Sequence, residues 1–207
     1  MVARVLKRIL DVVIASLGLI VLFPIMVAIA LAVLLVMGRP VLFRQLRVGY
    51  KEKPFILLKF RTMREAYDAE GNPLPDADRV TLLGEFLRKT SLDELPQLWN
   101  VLRGDMSLVG PRPLFVEYLP YYTERERIRH KVRPGITGLA QVTGRTSLPW
   151  DERLNLDVWY VENWSLYLDF KIIMKTIIKV ISCKDVLERA PEGSLIEHRR
   201  RQMMIER

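Results

Sequence analysis

Hydrophobic positions are concentrated near the start of the chain, where Val12 to Met37 contains no charged residue. As a straight helix this segment would be about 39 Å long, at about 1.5 Å per residue, whereas a hydrocarbon core is about 30 Å thick. Its length therefore predicts a membrane segment. A cleaved signal peptide is the alternative, since Met1 to Arg8 is basic and Ala28-Ile29-Ala30 resembles a cleavage site. However, the apolar stretch continues beyond that site.

Pro24 lies near the middle of the apolar segment, where its ring removes a backbone donor and crowds the preceding turn. Basic residues flank both ends of the segment: Arg4, Lys7 and Arg8 before it, and Arg39, Arg44 and Arg47 after it. Because positive residues favour the cytoplasmic side, this symmetry favours a re-entrant hairpin over residues 1–40 that breaks at Pro24. Each arm, of about 12 residues, is too short to cross a membrane. A straight span is the alternative.

The rest of the chain alternates between strand-like and helix-like patterns, which predicts a mostly helical α+β fold. Val41 to Met63 alternates apolar and basic residues and predicts one or two short strands. Helices are predicted from apolar spacing over three ranges: Thr81 to Lys89, Leu92 to Leu102 and Val116 to Lys131. We expect one domain over residues 41–183 and a charged tail over 184–207, with Arg199 to Arg201 solvated or near lipid headgroups.

Ser165 to Cys183 is predicted to form an amphipathic helix, with Trp159, Tyr160, Trp164 and Tyr167 around its start. Its lysines and its isoleucines fall on different faces. Such a helix can lie in the membrane interface, with its aromatic residues at headgroup level. An ordinary helix packed on a protein core would show the same pattern, and the sequence does not separate the two.

Charge and cysteine content narrow the classes of function. The net charge of +8 predicts anionic partners, which include phosphate-bearing substrates, membrane surfaces and nucleic acid. The single cysteine, Cys183, excludes an internal disulfide and a cysteine-rich metal site. The two histidines, His130 and His198, are far apart in sequence, which argues against a zinc site.

Asp93 and Glu94 are adjacent acids at the predicted start of a helix. They could be ordinary capping residues: Ser91 and Glu94 form a capping-box pattern. Pro96 argues against Ser91 as the N-cap, since its missing donor would fall inside the helix; Asp93 as N-cap places Pro96 in the first turn. Alternatively, a helix N-terminus attracts phosphate, and paired acids can bind Mg²⁺ or divide the roles of nucleophile and metal ligand.

Arginines occur around the glycine- and proline-rich segments on either side of this acidic pair: Arg88, Arg103, Arg112, Arg133 and Arg145. A guanidinium fork suits a diphosphate. Arg112 lies between Pro111 and Pro113, which stiffen its backbone. Arg133 to Arg145 is a glycine-punctuated loop that could wrap a ligand. Each arginine alone could be a solvated surface charge, but their grouping favours a phosphate site.

Five sequence blocks resemble a known family in both content and order: Lys59 to Met63, Ser91 to Val101, Gly104 to Ser107, Gly110 to Pro113 and Arg133 to Gly138. They are similar to the bacterial sugar transferases, and most of all to the small monotopic phosphoglycosyl transferases of the PglC type. The resemblance extends from Lys7 to about Lys179. It differs at Phe23, where some relatives have a serine before the proline, which puts the sharpness of the membrane break in question.

The resemblance implies an enzyme of the bacterial inner membrane, monotopic, with its catalytic domain on the cytoplasmic face. It implies that Asp93 attacks a UDP-sugar, releases UMP and carries the phosphosugar to polyprenyl (undecaprenyl) phosphate, in glycoconjugate assembly. Glu94 is its partner, and both acids would serve Mg²⁺. The residues expected to bind substrate are Lys59, Arg61, Arg88, Arg112, Arg133, Gln141 and Arg145, and Pro24 is the expected membrane break. An N-acetylated hexosamine is the expected sugar, although no residue selects it.

Two other functions are compatible with parts of the sequence. A non-catalytic membrane-tethered module could bind anionic lipid or nucleic acid through Arg199 to Arg201, but such a module does not need the Asp93-Glu94 pair. We therefore expect membrane lipids, and not nucleic acid, as partners. A lipid-diphosphate hydrolase could use the same acids. Trapping of a phosphosugar on Asp93 distinguishes transfer from hydrolysis.

Overall fold

The computed structural model describes residues 2–144, 148–182 and 193–205. Twelve α-helices and β-strands occur in these ranges: α1 Val2–Met37, β1 Leu42–Val48, β2 Pro54–Phe60, α2 Asp76–Arg79, α3 Leu82–Lys89, α4 Gln97–Arg103, β3 Ser107–Val109, β4 Gly135–Thr137, α5 Leu139–Thr143, α6 Trp150–Glu162, α7 Leu166–Ser182 and α8 Leu195–Ile205. Short 3₁₀-helices cover Tyr50–Glu52, Leu92–Glu94, Val116–Tyr121 and Glu126–Lys131. The predicted mostly helical α+β class is confirmed.

The strands form two small sheets, each of two strands. β1 and β2 pair antiparallel from Leu42 opposite Phe60 to Val48 opposite Pro54, which confirms the strands predicted between Val41 and Met63. β3 and β4 pair in parallel. The second sheet joins the segment before Arg112 to the segment after Arg133, so two of the family-like blocks lie side by side.

Two of the predicted helices are wrong in detail, and proline is the physical reason in both. Val116 to Lys131 forms two 3₁₀-helices, and Pro120 in the first lacks the donor that an α-helix would need there. The predicted helix from Leu92 contains a 3₁₀-turn at Leu92–Glu94 and becomes α-helical only after Pro96. The helix predicted at Thr81 to Lys89 is confirmed as α3, and α4 ends at Arg103 with Gly104 as its C-cap.

α1 is a single continuous helix with Pro24 inside it, so the predicted division into two helices is wrong. A proline removes one backbone donor, and a long helix keeps its hydrogen bonds on both sides of that position. The helix is long and apolar enough to cross a membrane, and only 11% of its most apolar window is buried. A helix in the core of a soluble protein would be mostly buried, which argues against that role for α1.

Both halves of α1 nevertheless pack against the domain that follows. Before Pro24, Ala15 contacts Val101 and Met106; after it, Ile29 and Val33 contact the cluster that contains Leu87. From Ala15 to Val33 a straight helix rises about 27 Å, so both ends of the apolar segment lie beside the same small domain. Polar contacts fix the start of α1 as well.

Lys7 and Asp11 make the polar contacts at the start of α1. Lys7 Nζ lies 2.6 Å from Asp169 Oδ2, at the start of α7. Asp11 Oδ1 accepts a hydrogen bond from the backbone N–H of Leu108 at 3.1 Å. These contacts hold the N-terminal turns of α1 against the second sheet and α7.

α7 is packed on one face and exposes large apolar side chains outside it. Ile172 is buried against Val109, Val142 and Tyr160. The exposed residues of this helix include five large hydrophobics, Tyr167, Phe170, Met174, Ile177 and Ile178, together with Lys171 and Lys175. Large apolar side chains exposed together in this way are typical of a membrane or protein contact.

α8 packs on the domain, through Leu195, which is fully buried beside Trp150 and Leu154. Arg199, expected to be solvated or near headgroups, instead forms ion pairs with Glu126 and Asp151. The reason is that α6 presents Asp151 to this helix and the 3₁₀-helix Glu126–Lys131 presents Glu126, which the charge run alone does not reveal.

Candidate active site

α3 approaches the end of β2 closely because residue 84 is glycine. A Cβ at Gly84 would lie only 1.8 Å from the carbonyl oxygen of Thr62, so no other residue permits this contact. One turn later, Arg88 donates from Nε to Thr62 Oγ1 at 3.0 Å. The glycine therefore brings Arg88 to the end of the strand that carries Lys59.

The acidic pair lies in the tight connection between α3 and α4. Ser91 adopts the left-handed conformation (φ 58°), and the chain then makes the 3₁₀-turn that contains Asp93 and Glu94. Ser91 makes no side-chain capping hydrogen bond, so the alternative of a capping box does not apply. Pro96, at φ −61°, is the residue that precedes α4, and Asp93 is therefore not an N-cap either. Capping does not account for either acid.

Asp93 and Glu94 differ in how their oxygens are occupied. Glu94 Oε1 accepts a hydrogen bond from Lys59 Nζ at 2.6 Å and another from Arg112 Nη2 at 3.0 Å. Asp93 Oδ2 lies 3.8 Å from Lys59 Nζ. Within the described ranges the Asp93 carboxylate accepts no hydrogen bond, although only 7% of the residue is exposed. Asp93 thus keeps its lone pairs available beside two cations.

The surroundings shift the two pKa values in opposite directions. Burial raises the pKa of Asp93; the charge of Lys59 opposes that rise and the charge of Glu94 adds to it. Burial alone would also raise the pKa of Glu94, but the charges of Lys59 and Arg112 outweigh it and hold that pKa below its usual value. Glu94 is therefore a fixed anion, and the ionisation of Asp93 depends on the cations around it.

Arg112 is held by its backbone as well as by its side chain. Its carbonyl oxygen accepts a hydrogen bond from Arg129 Nη2 at 2.8 Å. Arg129 in turn binds Asp157 Oδ2 through Nε at 3.1 Å and Nη2 at 2.7 Å, and both residues are buried. The Arg112 side chain is itself exposed. A fixed backbone thus presents a solvent-accessible guanidinium next to Glu94.

Asn100 fixes the distance between α4 and β2. Its Oδ1 accepts from the N–H of Leu58 at 3.1 Å, and its Nδ2 donates to the carbonyl of Ile56 at 2.8 Å. The residue is completely buried. Because Lys59 follows directly in β2 and Asp93 precedes α4, these bonds set the position of the cation relative to the acid.

The structure brings together five of the predicted site residues: Lys59, Arg88, Asp93, Glu94 and Arg112. It places three others elsewhere. Arg61 is buried and donates to the carbonyls of Met37 and Pro40, where it closes the C-terminal end of α1. Gln141 donates to the carbonyl of Ile136. Arg133 donates to the carbonyl of Gly104 at 2.8 Å.

Arg145 lies outside the described residues. The positioning residues Asn100, Arg129 and Asp157 were not predicted. Asn100 gives a weak signal, as a polar residue between the apolar residues Leu98 and Val101. The Arg129–Asp157 pair gives none, since its partners belong to segments far apart in the chain.

The two acids are compatible with Mg²⁺, but only as part of its shell. Mg²⁺ in enzymes is commonly bound by one or two carboxylates together with water and substrate phosphates. Among the described residues, both Asp93 oxygens and Glu94 Oε2 are free of hydrogen bonds. No cluster of three or more metal-ligating side chains occurs in that part of the chain. Any Mg²⁺ would therefore depend on the phosphates of a bound substrate.

A family model described as bacterial sugar transferase matches residues 2–183. The chain belongs to the bacterial sugar transferase family. It is 51% identical to the uncharacterized sugar transferase EpsL of Bacillus subtilis, over 86% of this chain and 88% of that protein. It is 44% identical to a UDP-glucose:undecaprenyl-phosphate glucose-1-phosphate transferase of Caulobacter vibrioides, over 85% of this chain and 70% of that one.

Longer relatives share the same region. The chain is 45% identical to the UDP-glucose:undecaprenyl-phosphate glucose-1-phosphate transferase of Klebsiella pneumoniae, over 84% of this chain but only 40% of that protein. The described cluster around Asp93 falls within the part that these family members have in common.

Proposed function

We propose that this sugar transferase moves a sugar 1-phosphate from a UDP-sugar to polyprenyl phosphate and releases UMP. Relatives named as UDP-glucose:undecaprenyl-phosphate glucose-1-phosphate transferases support the reaction class. The observation that carries the proposal is the Asp93 carboxylate: buried, free of hydrogen bonds in the described part, and flanked by Lys59, Arg88 and Arg112.

In the first half-reaction, an Asp93 oxygen bonds to the β-phosphorus of the UDP-sugar. The bond from that phosphorus to the oxygen bridging the two phosphates breaks, and UMP leaves with the electron pair. Arg112 and Lys59 stabilise the negative charge on the phosphate oxygens, since charge-assisted hydrogen bonds are the strong ones. A phosphosugar remains on Asp93 as an acyl phosphate.

In the second half-reaction, an oxygen of polyprenyl phosphate bonds to the same phosphorus and the Asp93 oxygen leaves. The product is a polyprenyl-diphosphate sugar, and the carboxylate is regenerated. Donor and acceptor use the site in turn, which predicts ping-pong kinetics. Glu94, as a fixed anion, keeps Lys59 and Arg112 in place through both steps.

Mg²⁺ is the cofactor that we propose for this site. It would be held by Asp93, Glu94 Oε2 and the donor's phosphates, where it would neutralise diphosphate charge. The protein leaves the Asp93 oxygens and Glu94 Oε2 free of hydrogen bonds in the described residues, because Lys59 and Arg112 both donate to Glu94 Oε1.

The membrane placement follows from α1 and α7. We propose that α1, which is one helix through Pro24, follows a path along the domain within one leaflet, as a monotopic anchor with both ends and the catalytic domain on the cytoplasmic face. Contacts on both sides of Pro24 with one domain support this path, because a perpendicular span would carry Ile29 and Val33 away from it. The exposed apolar side chains of α7 would lie in the same interface, at the depth of a polyprenyl phosphate headgroup.

For the sugar, we propose a hexose rather than the N-acetylated hexosamine expected from the sequence. Relatives carry glucose in their names, and a 41% identical relative of Erwinia amylovora is named a UDP-galactose-lipid carrier transferase. A comparison of UMP release from UDP-glucose, UDP-galactose and UDP-N-acetylglucosamine decides this. Release only from the N-acetylated donor would reverse the proposal.

Trapping the intermediate tests the mechanism. The purified enzyme is mixed with Mg²⁺ and UDP-glucose labelled in the β-phosphate, without acceptor, and is quenched in acid. We expect label on the peptide that contains Asp93, chased into lipid by polyprenyl phosphate, and no label in Asp93→Asn. Sugar phosphate released to water without labelled protein would indicate hydrolysis.

Single cysteines test the topology in a Cys183→Ser background. Cysteines introduced at Val2 and at Gly38 are exposed to a membrane-impermeant maleimide in intact cells and after lysis. A monotopic α1 with both ends on the cytoplasmic side leaves both positions unlabelled until lysis. Labelling of one position in intact cells would show a full span.

A further inference from the structure

A second cationic site lies at the N-terminal end of α1. Arg4, Val5, Arg8, Ile9 and Arg133 line an open groove of about 720 Å³. Three arginines thus surround an apolar floor, and none of them forms an ion pair with an acid in the described part of the chain. The mechanism proposed above does not use this groove.

Two of the three guanidinium groups are fixed by the end of α4. Arg8 donates from Nη1 to the carbonyl of Val101 at 2.7 Å and from Nη2 to that of Leu102 at 3.0 Å. Arg133 donates from Nε to the carbonyl of Gly104 at 2.8 Å. The last carbonyls of a helix lack partners inside it, so these arginines complete α4 and are positioned by it.

Some N–H donors of the three arginines stay unused after these hydrogen bonds to α4 and Gly104 are made. Neither terminal nitrogen of Arg133, nor any nitrogen of Arg4, has an acceptor among the described residues. Burial lowers the pKa of Arg8, and the nearby charge of Arg133 lowers it further, while Asp11 acts in the opposite direction. A pair of close, fixed guanidiniums with free donors matches the tetrahedral oxygens of a phosphate.

The groove is distinct from the catalytic cluster. Arg8 and Arg133 bind the C-terminal end of α4, whereas Asp93 precedes its N-terminal end. The seven residues of α4 span about 10 Å. A phosphate in the groove is therefore too far from Asp93 to receive the phosphosugar.

The apolar floor identifies the kind of molecule that carries the phosphate. Val5 and Ile9 are more than half exposed, and they continue directly into the apolar surface of α1. The groove thus joins a cationic rim to a surface that faces acyl chains. We propose that the groove of Arg4, Arg8 and Arg133 binds the phosphate of an anionic membrane phospholipid, separately from both substrates.

This inference rests on the proposed membrane placement of α1 but not on the transfer reaction. Lipid binding is therefore measured on the Asp93→Asn protein, which cannot turn over. The purified protein in mild detergent is titrated with phosphatidylglycerol, and bound lipid is counted by native mass spectrometry. Phosphatidylcholine, inorganic phosphate and polyprenyl phosphate are titrated in parallel.

The variants are chosen to spare the fold. Arg4→Gln removes a side chain without a polar contact in the described part, and Arg4→Gln with Arg133→Gln removes two of the three charges. The matched control is Arg39→Gln with Arg44→Gln, which removes equal charge from exposed positions at the other end of α1. We expect the double variant to bind phosphatidylglycerol about tenfold more weakly, the single variant to fall between, and the control to be unchanged.

Three outcomes would overturn the proposal. Equal weakening in the control would show that net charge alone attracts the lipid. Competition by millimolar inorganic phosphate at the affinity of the lipid would show a free-phosphate site. Displacement of phosphatidylglycerol by equimolar polyprenyl phosphate, with a raised KM for that acceptor in the double variant of the active enzyme, would assign the groove to the acceptor.

Discussion

Asp93 and Asp169 are both buried acids next to a lysine, with 7% and 5% of their surfaces exposed. The two acids differ in the hydrogen bonds that their carboxylate oxygens accept. Asp169 Oδ2 accepts from Lys7 Nζ at 2.6 Å and Trp164 Nε1 at 3.0 Å, and its Oδ1 accepts from Tyr160 at 2.7 Å. Asp93 has a cation at 3.8 Å and no hydrogen bond in the described residues.

The difference separates an acid that holds a fold together from an acid that is available for chemistry. Burying a carboxylate without hydrogen bonds costs free energy. Asp93 is buried in this way although two residues with side-chain donors, Trp99 and Asn100, lie nearby in sequence. Asp169 joins α1, α6 and α7, and both of its carboxylate oxygens accept hydrogen bonds. Burial and a neighbouring lysine are common to both acids, and only the unoccupied oxygens set Asp93 apart as the candidate for the proposed nucleophile.

The largest effect should come from Asp93→Asn. We expect UMP release to fall by at least about 10⁴-fold, because loss of a nucleophile removes the covalent route. Thermal stability should stay the same or rise, since burial disfavours the charged form of Asp93. Rate and melting temperature are measured on the same preparation. A variant that retains turnover would show that another group attacks the donor.

Asp169→Asn should have the opposite effect to Asp93→Asn, with a loss of stability and little change in rate. It leaves the partly buried Lys7 without its counterion, and breaking such a pair costs about 3 kcal/mol. Denaturant unfolding in micelles should show that loss, while turnover per folded molecule stays within about threefold. If turnover falls as far as in Asp93→Asn with stability intact, the comparison between the two acids fails.

Lys59→Met should weaken the site and change its pH dependence. Lys59 opposes the rise in the pKa of Asp93, so its removal raises that pKa further and moves the acid limb of kcat/KM to higher pH. Near neutral pH we also expect about a tenfold loss from one charge-assisted hydrogen bond of about 1.5 kcal/mol.

The control for Lys59 is Lys53→Met, an exposed lysine just before the same strand. It should change neither the rate nor the profile. An equal loss at every pH in Lys59→Met would mean that this lysine only binds substrate and does not govern the ionisation of Asp93.

The smallest effect is expected from Trp164→Phe. This change removes one of three donors to Asp169 and keeps an aromatic ring, so stability should fall by about 1 kcal/mol. Turnover should not change. An altered rate with normal stability would mean that the network around Asp169 reaches the active site.

The sequence was sufficient for elements with strong local patterns: β1, β2 and α3, and the Asp93-Glu94 pair with Arg112 on its proline-flanked loop. It could not place Arg61 or Arg133. Both are basic residues in family-like blocks, and each binds the carbonyls at a helix end that only the folded chain brings close. The roles of Arg129 and Asp157 likewise depend on a contact across 28 positions.

The local sequence pattern predicted the wrong backbone conformation in two places. Val116 to Lys131 has the composition of an α-helix but contains Pro120, and Ser91 with Glu94 has the composition of a capping box but occupies a left-handed turn. At Pro120 the missing N–H decides, and at Ser91 the left-handed φ angle decides, which residue type describes only on average.

Asn100 has a consequence beyond the distance that it fixes. Its amide meets Leu58 N–H and Ile56 C=O as the backbone of a neighbouring strand would, so a side chain substitutes for the missing third strand of the first sheet. A free strand edge invites pairing with another chain. With this amide in place, part of the edge of the sheet that carries Lys59 is not available for pairing with another strand.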